Sequence, residues 1–350
     1  MTVADDDART PPLPLTKALG QMIVARYVGD RPPAAFTARV RRGEIGGVIL
    51  FGDNVRRGPQ ATLTVIDRLQ RAAHAGGHPP LLVAIDQEGG EIRRINGPPA
   101  RNPRDLTSAR QARAAGHAAG RVLRRWGVNL NLAPVADVPT SPSSFLSMRA
   151  FGGAPTRVAE RACAFTDGLH SGGVGATLKH FPGLGAATTN TDLAPTQIDQ
   201  PPSATREGYA AYQRCGNDPR TLVMVSSAVY PRLTGTAPAV MSRRTYAREL
   251  QRAAPGAVTI SDDLETPAIA AQTTPGRRAI NAGLALLLYA RTEASSAQAY
   301  PRLLADARAG RIVPGRVRAA AERVVALKVA LGQPFANGSS ASTNSGSTGT

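Results

Sequence analysis

Lys179 and His180 stand side by side after a short apolar run, Val174 to Leu178, and are followed at once by Phe181, Pro182 and Gly183. Gly173 and Gly175 make the run too short and too loose for a helix, and the Pro/Gly turn stops it abruptly. It therefore reads as a strand delivering an ammonium and an imidazole to its end. Such a pair can hold a hydroxylated or anionic ligand. From these two residues alone, a surface lysine and a satisfied core histidine are equally compatible.

Other apolar runs end in groups of the same kind. Leu81 to Ile85 leads into Asp86, Gln87, Glu88, Gly89 and Gly90, with Arg93 and Arg94 beyond. Val128 to Pro134 is followed by Asp137 and, past a Ser/Pro loop, by Arg149, Phe151 and Gly152. Thr221 to Val225 ends in Ser226 and Ser227, and Ala257 to Ile260 in Ser261, Asp262 and Asp263. Gathered on one face, these would surround a ligand with carboxylates, arginines, a lysine and a histidine. Carboxylates around a neutral hydroxylated ligand suit glycoside cleavage. There one carboxylate attacks the anomeric carbon, and a second group about 5 to 5.5 Å away gives and takes the proton. Arginines and a lysine around a phosphorylated ligand suit aldolase or isomerase chemistry, usually with a Gly-rich phosphate site at the last strands. The final run, Leu284 to Tyr289, is followed by Ala290, Arg291 and Thr292, with no such cradle, so the glycoside reading leads.

The elements that must position these groups alternate. With Met22 to Tyr27 and Gly47 to Phe51 there are eight apolar runs, each bounded by Gly, Pro or polar residues. Helical spacing lies between most of them, as in Leu63, Ile66 and Leu69, or in Ala109 to Trp126 closed by Gly127. Continuously apolar strands alternating with helices predict an α/β fold of parallel strands covered by helices. Eight units favour one closed (β/α)8 TIM-type barrel, a single domain over residues 15–335. An open doubly wound sheet would want a Gly-x-Gly-x-x-Gly after an early strand, and none is present. Residues 1–14, and the Ser/Thr/Gly-rich tail 336–350, are expected to be disordered.

Composition narrows the partners. The chain has 350 residues, 42% of them apolar, which is enough for a large core. The net charge of +17 is spread along every segment, all of it on arginine except Lys17, Lys179 and Lys328, and aromatic residues make up 4%. No basic stripe with interleaved aromatics exists, so no nucleic-acid partner is expected. Cys163 and Cys215 make neither a disulfide framework nor a metal spacing, and Cys163 reads as a small buried hydrophobe beside Val158, Ala162, Phe165 and Leu169. No cofactor or metal is expected, and no apolar run is long enough to span a membrane. Asp5, Asp6 and Asp7 followed by Pro11, Pro12 and Pro14 do not make a secretory signal, and a cytoplasmic protein is expected.

Taken in order, several runs resemble glycoside hydrolase family 3. They are Gly46-Gly47-Val48-Ile49-Leu50-Phe51, Asp86-Gln87-Glu88-Gly89-Gly90, Asn131-Leu132-Ala133-Pro134-Val135-Ala136-Asp137, Arg149-Ala150-Phe151-Gly152, Lys179-His180-Phe181-Pro182-Gly183 and Ser261-Asp262-Asp263-Leu264. Within that family they are most similar to the single-domain bacterial β-N-acetylhexosaminidases, over roughly Leu15 to Gln333. The resemblance implies a carbohydrate substrate, a β-linked amino sugar or related glycoside. It also implies Asp262 as the nucleophile that forms a covalent glycosyl-enzyme, and Asp86, Arg94, Arg149, Lys179 and His180 as the groups binding the sugar hydroxyls. The cell-wall substrates of such relatives leave export open.

One departure stands out. The family run continues with His-Gly and, further on, an Asp-Ser-His triplet whose histidine is the general acid/base; here the chain reads Leu184-Gly185 and Asn190-Thr191-Asp192. The histidines are His74, His78, His117, His170 and His180, and only His180 is near this loop. Losing general-acid help costs on the order of 10² to 10⁴ in rate. Asp192 is the candidate substitute, since a carboxyl near Asp262 would be kept protonated by like-charge repulsion. Ser227 replaces a histidine usual in these relatives, and Ala285 an aspartate. Two expectations follow: a glycosidase with an altered acid/base, or a catalytically silent barrel that binds glycans or regulates.

Overall fold

A computed structural model of the protein describes residues 13–332. Leu13 and Pro14 lead into the first helix, Leu15–Gln21, with Pro14 as its N-cap; the rest of the two terminal segments lies outside the described residues.

A strand falls on each of the eight apolar runs: β1 (Ile23–Ala25), β2 (Gly47–Leu50), β3 (Leu82–Ile85), β4 (Leu130–Asn131), β5 (Ala176–Phe181), β6 (Thr221–Val225), β7 (Val258–Ser261) and β8 (Leu287–Tyr289). Helices lie between successive strands, and the fold is mixed α/β. The strands form two parallel sheets, β8-β1-β2-β3-β4 and β7-β6-β5. Registers include Gly47 opposite Leu82, Ile23 opposite Leu287 and Val258 opposite Leu222. Isolated parallel bridges join Leu130 to Gly175 and Ile260 to Leu286. Backbone bonds from Asn131 N to Gly175 O and from Ser261 N to Leu286 O, both 2.9 Å, run across the same two seams. Every residue of these strands is buried, which is why each read as an unbroken apolar run rather than an alternating one. Because neighbouring strands are parallel, the polar residues that follow them emerge on one side.

The helices carry their own signals. Ala109–Arg125 is capped by Ser108, whose side chain accepts from Gln111 N. It packs face to face on Pro155–Ser171 at glycines: a Cβ on Gly116 would fall 2.2 Å from Phe165 O, and one on Gly168 would fall 2.3 Å from Arg113 O. That close approach accounts for the small residues in both helices.

Two expectations are corrected. The run after Gly173 does not stop at Leu178: β5 continues through Lys179 and His180 to Phe181, with a register shift against β6 between Leu178 and Phe181. Both polar residues are buried rather than presented beyond a strand end. Cys163 is not a free small hydrophobe, since it forms a disulfide with Cys215, joining helix Pro155–Ser171 to helix Ala210–Cys215. The two cysteines lie 52 residues apart, so the pairing arises from helix packing and has no local spacing to announce it.

Lys328, in helix Pro314–Ala330, is fully buried, its Nζ donating to Gln21 Oε1 and to the Gly46 carbonyl. Burial pushes its pKa down to about 7. The unfolded chain keeps that proton until about pH 10.4, so above pH 7 unfolding takes up a proton and the unfolding free energy rises with pH. The expected contribution is about 1.4 kcal/mol per pH unit, read from urea titrations across roughly pH 7 to 9. Lys328→Met should remove that slope.

Among the described residues no helix is long and apolar enough to cross a membrane.

Candidate active site

The ends of the strands enclose a cavity of about 330 Å³, and all seven side chains singled out in the sequence line it: Asp86, Arg94, Arg149, Lys179, His180, Asp192 and Asp262. Asp86 follows β3, Lys179 and His180 come from within β5, and Asp262 follows β7. Arg94, Arg149 and Asp192 arrive on the connections after β3, β4 and β5.

Two buried carboxylates that were not assigned roles organise the cations. Glu88, 1% exposed, takes a bidentate pair from Arg149, Nε to Oε2 at 2.9 Å and Nη2 to Oε1 at 2.7 Å. It also lies 2.7 Å from Lys179 Nζ. Burial alone would raise the Glu88 carboxyl, but the charges and bonds of Lys179 and Arg149 overcome it and hold the group far below the usual carboxylate range. Lys179 donates to Asp86 at 2.9 Å, and these two acids keep its ammonium above the ordinary lysine value against burial. Arg94 stands 3.6 Å from Asp86, and its Nε has no hydrogen-bond partner among the described residues.

Asp137 does the same for β5. Fully buried, its carboxylate accepts the backbone N–H of His180 at 3.0 Å, His180 Nδ1 at 2.7 Å and the Leu184 N–H at 2.6 Å. With Nδ1 committed to Asp137, Nε2 is the ring nitrogen free to meet a ligand. The turn beyond is tight, because a Cβ on Gly185 would fall 1.9 Å from the Val138 carbonyl oxygen.

Around Asp262 the electrostatics oppose one another. Burial raises its carboxyl, His180 and Lys179 pull it down, the charge of Asp192 pushes it up, and the net direction is upward. The Asp263 N–H donates to Asp262 Oδ1 at 2.9 Å. Asp263 itself is pushed up to about 6 by burial, with backbone donors Glu265 and Ala290 working against it. Arg291, directly after the last strand segment, lies 3.3 Å from Asp263 and donates through Nη2 to the Asp192 carbonyl at 3.2 Å. It thus ties the loop that carries Asp192 to the end of β7.

Not every polar residue at a strand end serves the cavity. Gln87 faces the other way, bonding Arg94 N, Ile95 N, Ile95 O and Pro98 O to shape its loop. Arg93 donates to Gly90 O and Gly97 O, and Phe151 packs on Phe165 in the core. Ser227 is buried with its hydroxyl unpartnered among the described residues. Sequence reasoning missed the wall made by Phe51, with the guanidinium of Arg26 at 4.3 Å and that of Arg94 at 5.0 Å from the ring centroid. Among the described residues no cluster of three or more His, Cys, Asp or Glu could hold a metal ion.

The arrangement can hold a neutral, hydroxyl-rich ring from several sides with charge-assisted hydrogen bonds while presenting a carboxylate to it. Comparison with known proteins gives the same direction. The family described as glycosyl hydrolase family 3 N-terminal domain matches residues 15–327. An uncharacterized secreted glycosyl hydrolase of Arthroderma benhamiae is 33% identical over 296 residues, 80% of this chain and 83% of that protein. Beta-hexosaminidase LpqI of Mycobacterium tuberculosis is 31% identical over 233 residues, and the match spans 64% of this chain and 58% of LpqI, under two thirds of either. The crystal structure of beta-N-acetylhexosaminidase from Beutenbergia cavernae superposes with a TM-score of 0.80 at 29% identity, covering 91% of this chain and all of that one.

Proposed function

The chain belongs to glycoside hydrolase family 3, and on that footing we propose that it is a retaining β-glycosidase of the β-N-acetylhexosaminidase type, with Asp262 as nucleophile and Asp192 in place of the missing acid/base. The carrying observation is that Asp262 shares one sugar-sized cavity with Asp192 and with the Asp86, Arg94, Arg149, Lys179 and His180 cluster. The names of the relatives, β-hexosaminidases among them, support an amino-sugar β-glycoside as substrate. The proposed architecture is a closed ring of eight strands, supported by the bridges that join the two sheets at both seams.

The Asp262 carboxylate attacks the anomeric carbon and the glycosidic C–O bond breaks. Asp192 supplies a proton to the departing oxygen, then takes one from the water that opens the glycosyl ester. Arg291 positions the loop from which Asp192 acts.

The test compares a dinitrophenyl β-N-acetylglucosaminide, whose leaving group needs little protonation, with the methyl glycoside, in the parent and in Asp192→Asn. Parent turnover of the activated substrate, with Asp192→Asn losing most of its remaining activity only on the methyl glycoside, is expected. No turnover of the activated substrate would leave the second reading, a silent glycan-binding protein, which the absence of the loop histidine favours. The pH profile carries a further prediction. Because Asp262 must be ionised and its pKa is raised, the acid limb of kcat/KM should lie above the ordinary aspartate value of about 3.9.

The proposal extends to compartment. The Cys163–Cys215 disulfide favours an oxidising location outside the cytoplasm over the cytoplasmic one expected from composition.

A further inference from the structure

Successive residues of a strand face opposite ways, and at the end of β8 this divides two neighbours: Leu288 lines the catalytic cavity, and Tyr289 lines another. The second cavity, about 380 Å³, shares no lining residue with the first. Its walls come from helix Pro275–Ala282 and helix Glu293–Arg308, with Leu264 and Glu265 from the connection after β7. Tyr289 is 7% exposed, and its hydroxyl has no hydrogen-bond partner among the described residues. Burial, then the charges of Glu265 and Asp263, raise its pKa, so at neutral pH the hydroxyl is a donor. It meets the first turn of helix Pro275–Ala282 at Gly276, where a Cβ would fall 3.1 Å from the Tyr289 oxygen and 3.0 Å from Leu287. That helix starts without a side-chain cap, since Thr274 in the N-cap position makes no such bond. A helix leaves its first N–H groups unpaired, here those of Gly276 and Arg277.

We propose that this cavity is a second ligand site, which takes the phosphate group of a small molecule between the N-terminus of helix Pro275–Ala282, the Tyr289 hydroxyl and the guanidinium of Arg302. An anion there accepts from the unpaired N–H groups and sits at the positive end of the helix dipole. Arg302 lines the cavity with no carboxylate in contact among the described residues. The two acids on the same wall are engaged elsewhere. Asp306 is 2.6 Å from Arg311 and 3.5 Å from Arg277, and Glu265 accepts the Arg291 N–H at 2.8 Å. A neutral ligand would leave Arg302 and the helix end with no charge to meet. The volume falls in the range of small-molecule sites, which leaves room for the organic part of a phosphate ester. Barrels of the kind proposed above frequently hold phosphate among the loops after their seventh and eighth strands, at the N-terminus of a short helix. Glu265 joins the two cavities, because the Arg291 it bonds also holds the loop carrying Asp192.

Binding at this site needs no turnover, so the test is separate from that of the glycosidase reading. The full chain is titrated calorimetrically with inorganic phosphate, glucose 6-phosphate and glucose, and the titrations are repeated on Tyr289→Phe, Arg302→Ala and a control in the catalytic cavity, Arg94→Ala. Both phosphates are expected to bind at a single site, and glucose is not. Arg302→Ala should weaken glucose 6-phosphate by about 10-fold, as loss of a charge-assisted hydrogen bond, and Tyr289→Phe should weaken it by a smaller factor. Neither variant should lower Tm, because Arg302 is exposed and the Tyr289 hydroxyl has no partner to lose. A tyrosine with a merely structural role would lower it. Arg94→Ala should bind as the parent does. Phosphate binding that is lost in Arg94→Ala and kept in Arg302→Ala belongs to the catalytic cavity and overturns the proposal. So does glucose binding as tightly as its phosphate, or no binding of either phosphate tighter than about 10 mM.

Discussion

Replacing Asp262 by asparagine should lower kcat on the dinitrophenyl glycoside by more than about 10⁴-fold, because loss of a covalent nucleophile is among the largest single effects in enzyme catalysis. The substitution keeps the side-chain size and an oxygen able to accept the Asp263 N–H, so the backbone after β7 is retained. It also removes a raised, buried carboxyl, so the variant should be at least as stable as the parent. Ligand binding should survive, since Lys179, His180, Asp86 and Arg149 are untouched. The readouts are single-turnover kinetics, a glycosyl adduct at Asp262 trapped in the parent with a slow fluorinated glycoside, and calorimetric binding of the monosaccharide. A variant that retains a tenth of parent activity would end the assignment of Asp262.

Replacing Glu88 by glutamine should be the most destabilising conservative change in the cavity. Glu88 is buried and ion-paired with both Arg149 and Lys179. Without its charge, the half-buried guanidinium of Arg149 is left with no carboxylate in contact, and Lys179 is left with Asp86 alone. Removing one partner of a buried ion pair costs roughly 3–5 kcal/mol, which in a domain of this size lowers Tm by roughly 4–8 °C. The folded-state pKa of Glu88 is depressed, so its contribution is complete above the unfolded glutamate value of about 4.3 and is lost only as pH falls well below it. The parent-to-variant difference should therefore be constant through neutral pH and shrink in acid. Glu91→Gln, on an exposed neighbour, should change Tm very little. Equal melting of the parent and Glu88→Gln would show that the ion pairs contribute nothing to the folded state.

These two residues mark how far the sequence could be read. Asp262 was legible because it follows a short apolar run and stands in a run that resembles a family. Glu88 was visible only as one of several polar residues after β3; its role depends on Arg149, 61 positions away, and on a lysine from β5. The strands were found because burial on both faces writes a continuous apolar run, but the end of β5 was misjudged for a related reason. A lysine and a histidine look like the stop of a strand until Asp86, Glu88 and Asp137 arrive from other strands to satisfy them. Asp137 was noted in passing, yet nothing local indicates that it would bond both the ring and the backbone of His180. The cysteines were misread for want of the same non-local information.

The Cys163–Cys215 bond has a practical consequence. It encloses the stretch bearing Lys179, His180 and Asp192, so the same covalent loop that ties two helices also carries three of the seven residues on which turnover is proposed to depend. Protein made in a thiol-reducing host would leave the ribosome without it, and a preparation could look monodisperse on a sizing column yet differ from batch to batch in specific activity. Counting free thiols under denaturing conditions before any assay would distinguish a poorly oxidised preparation from an enzyme that is intrinsically slow.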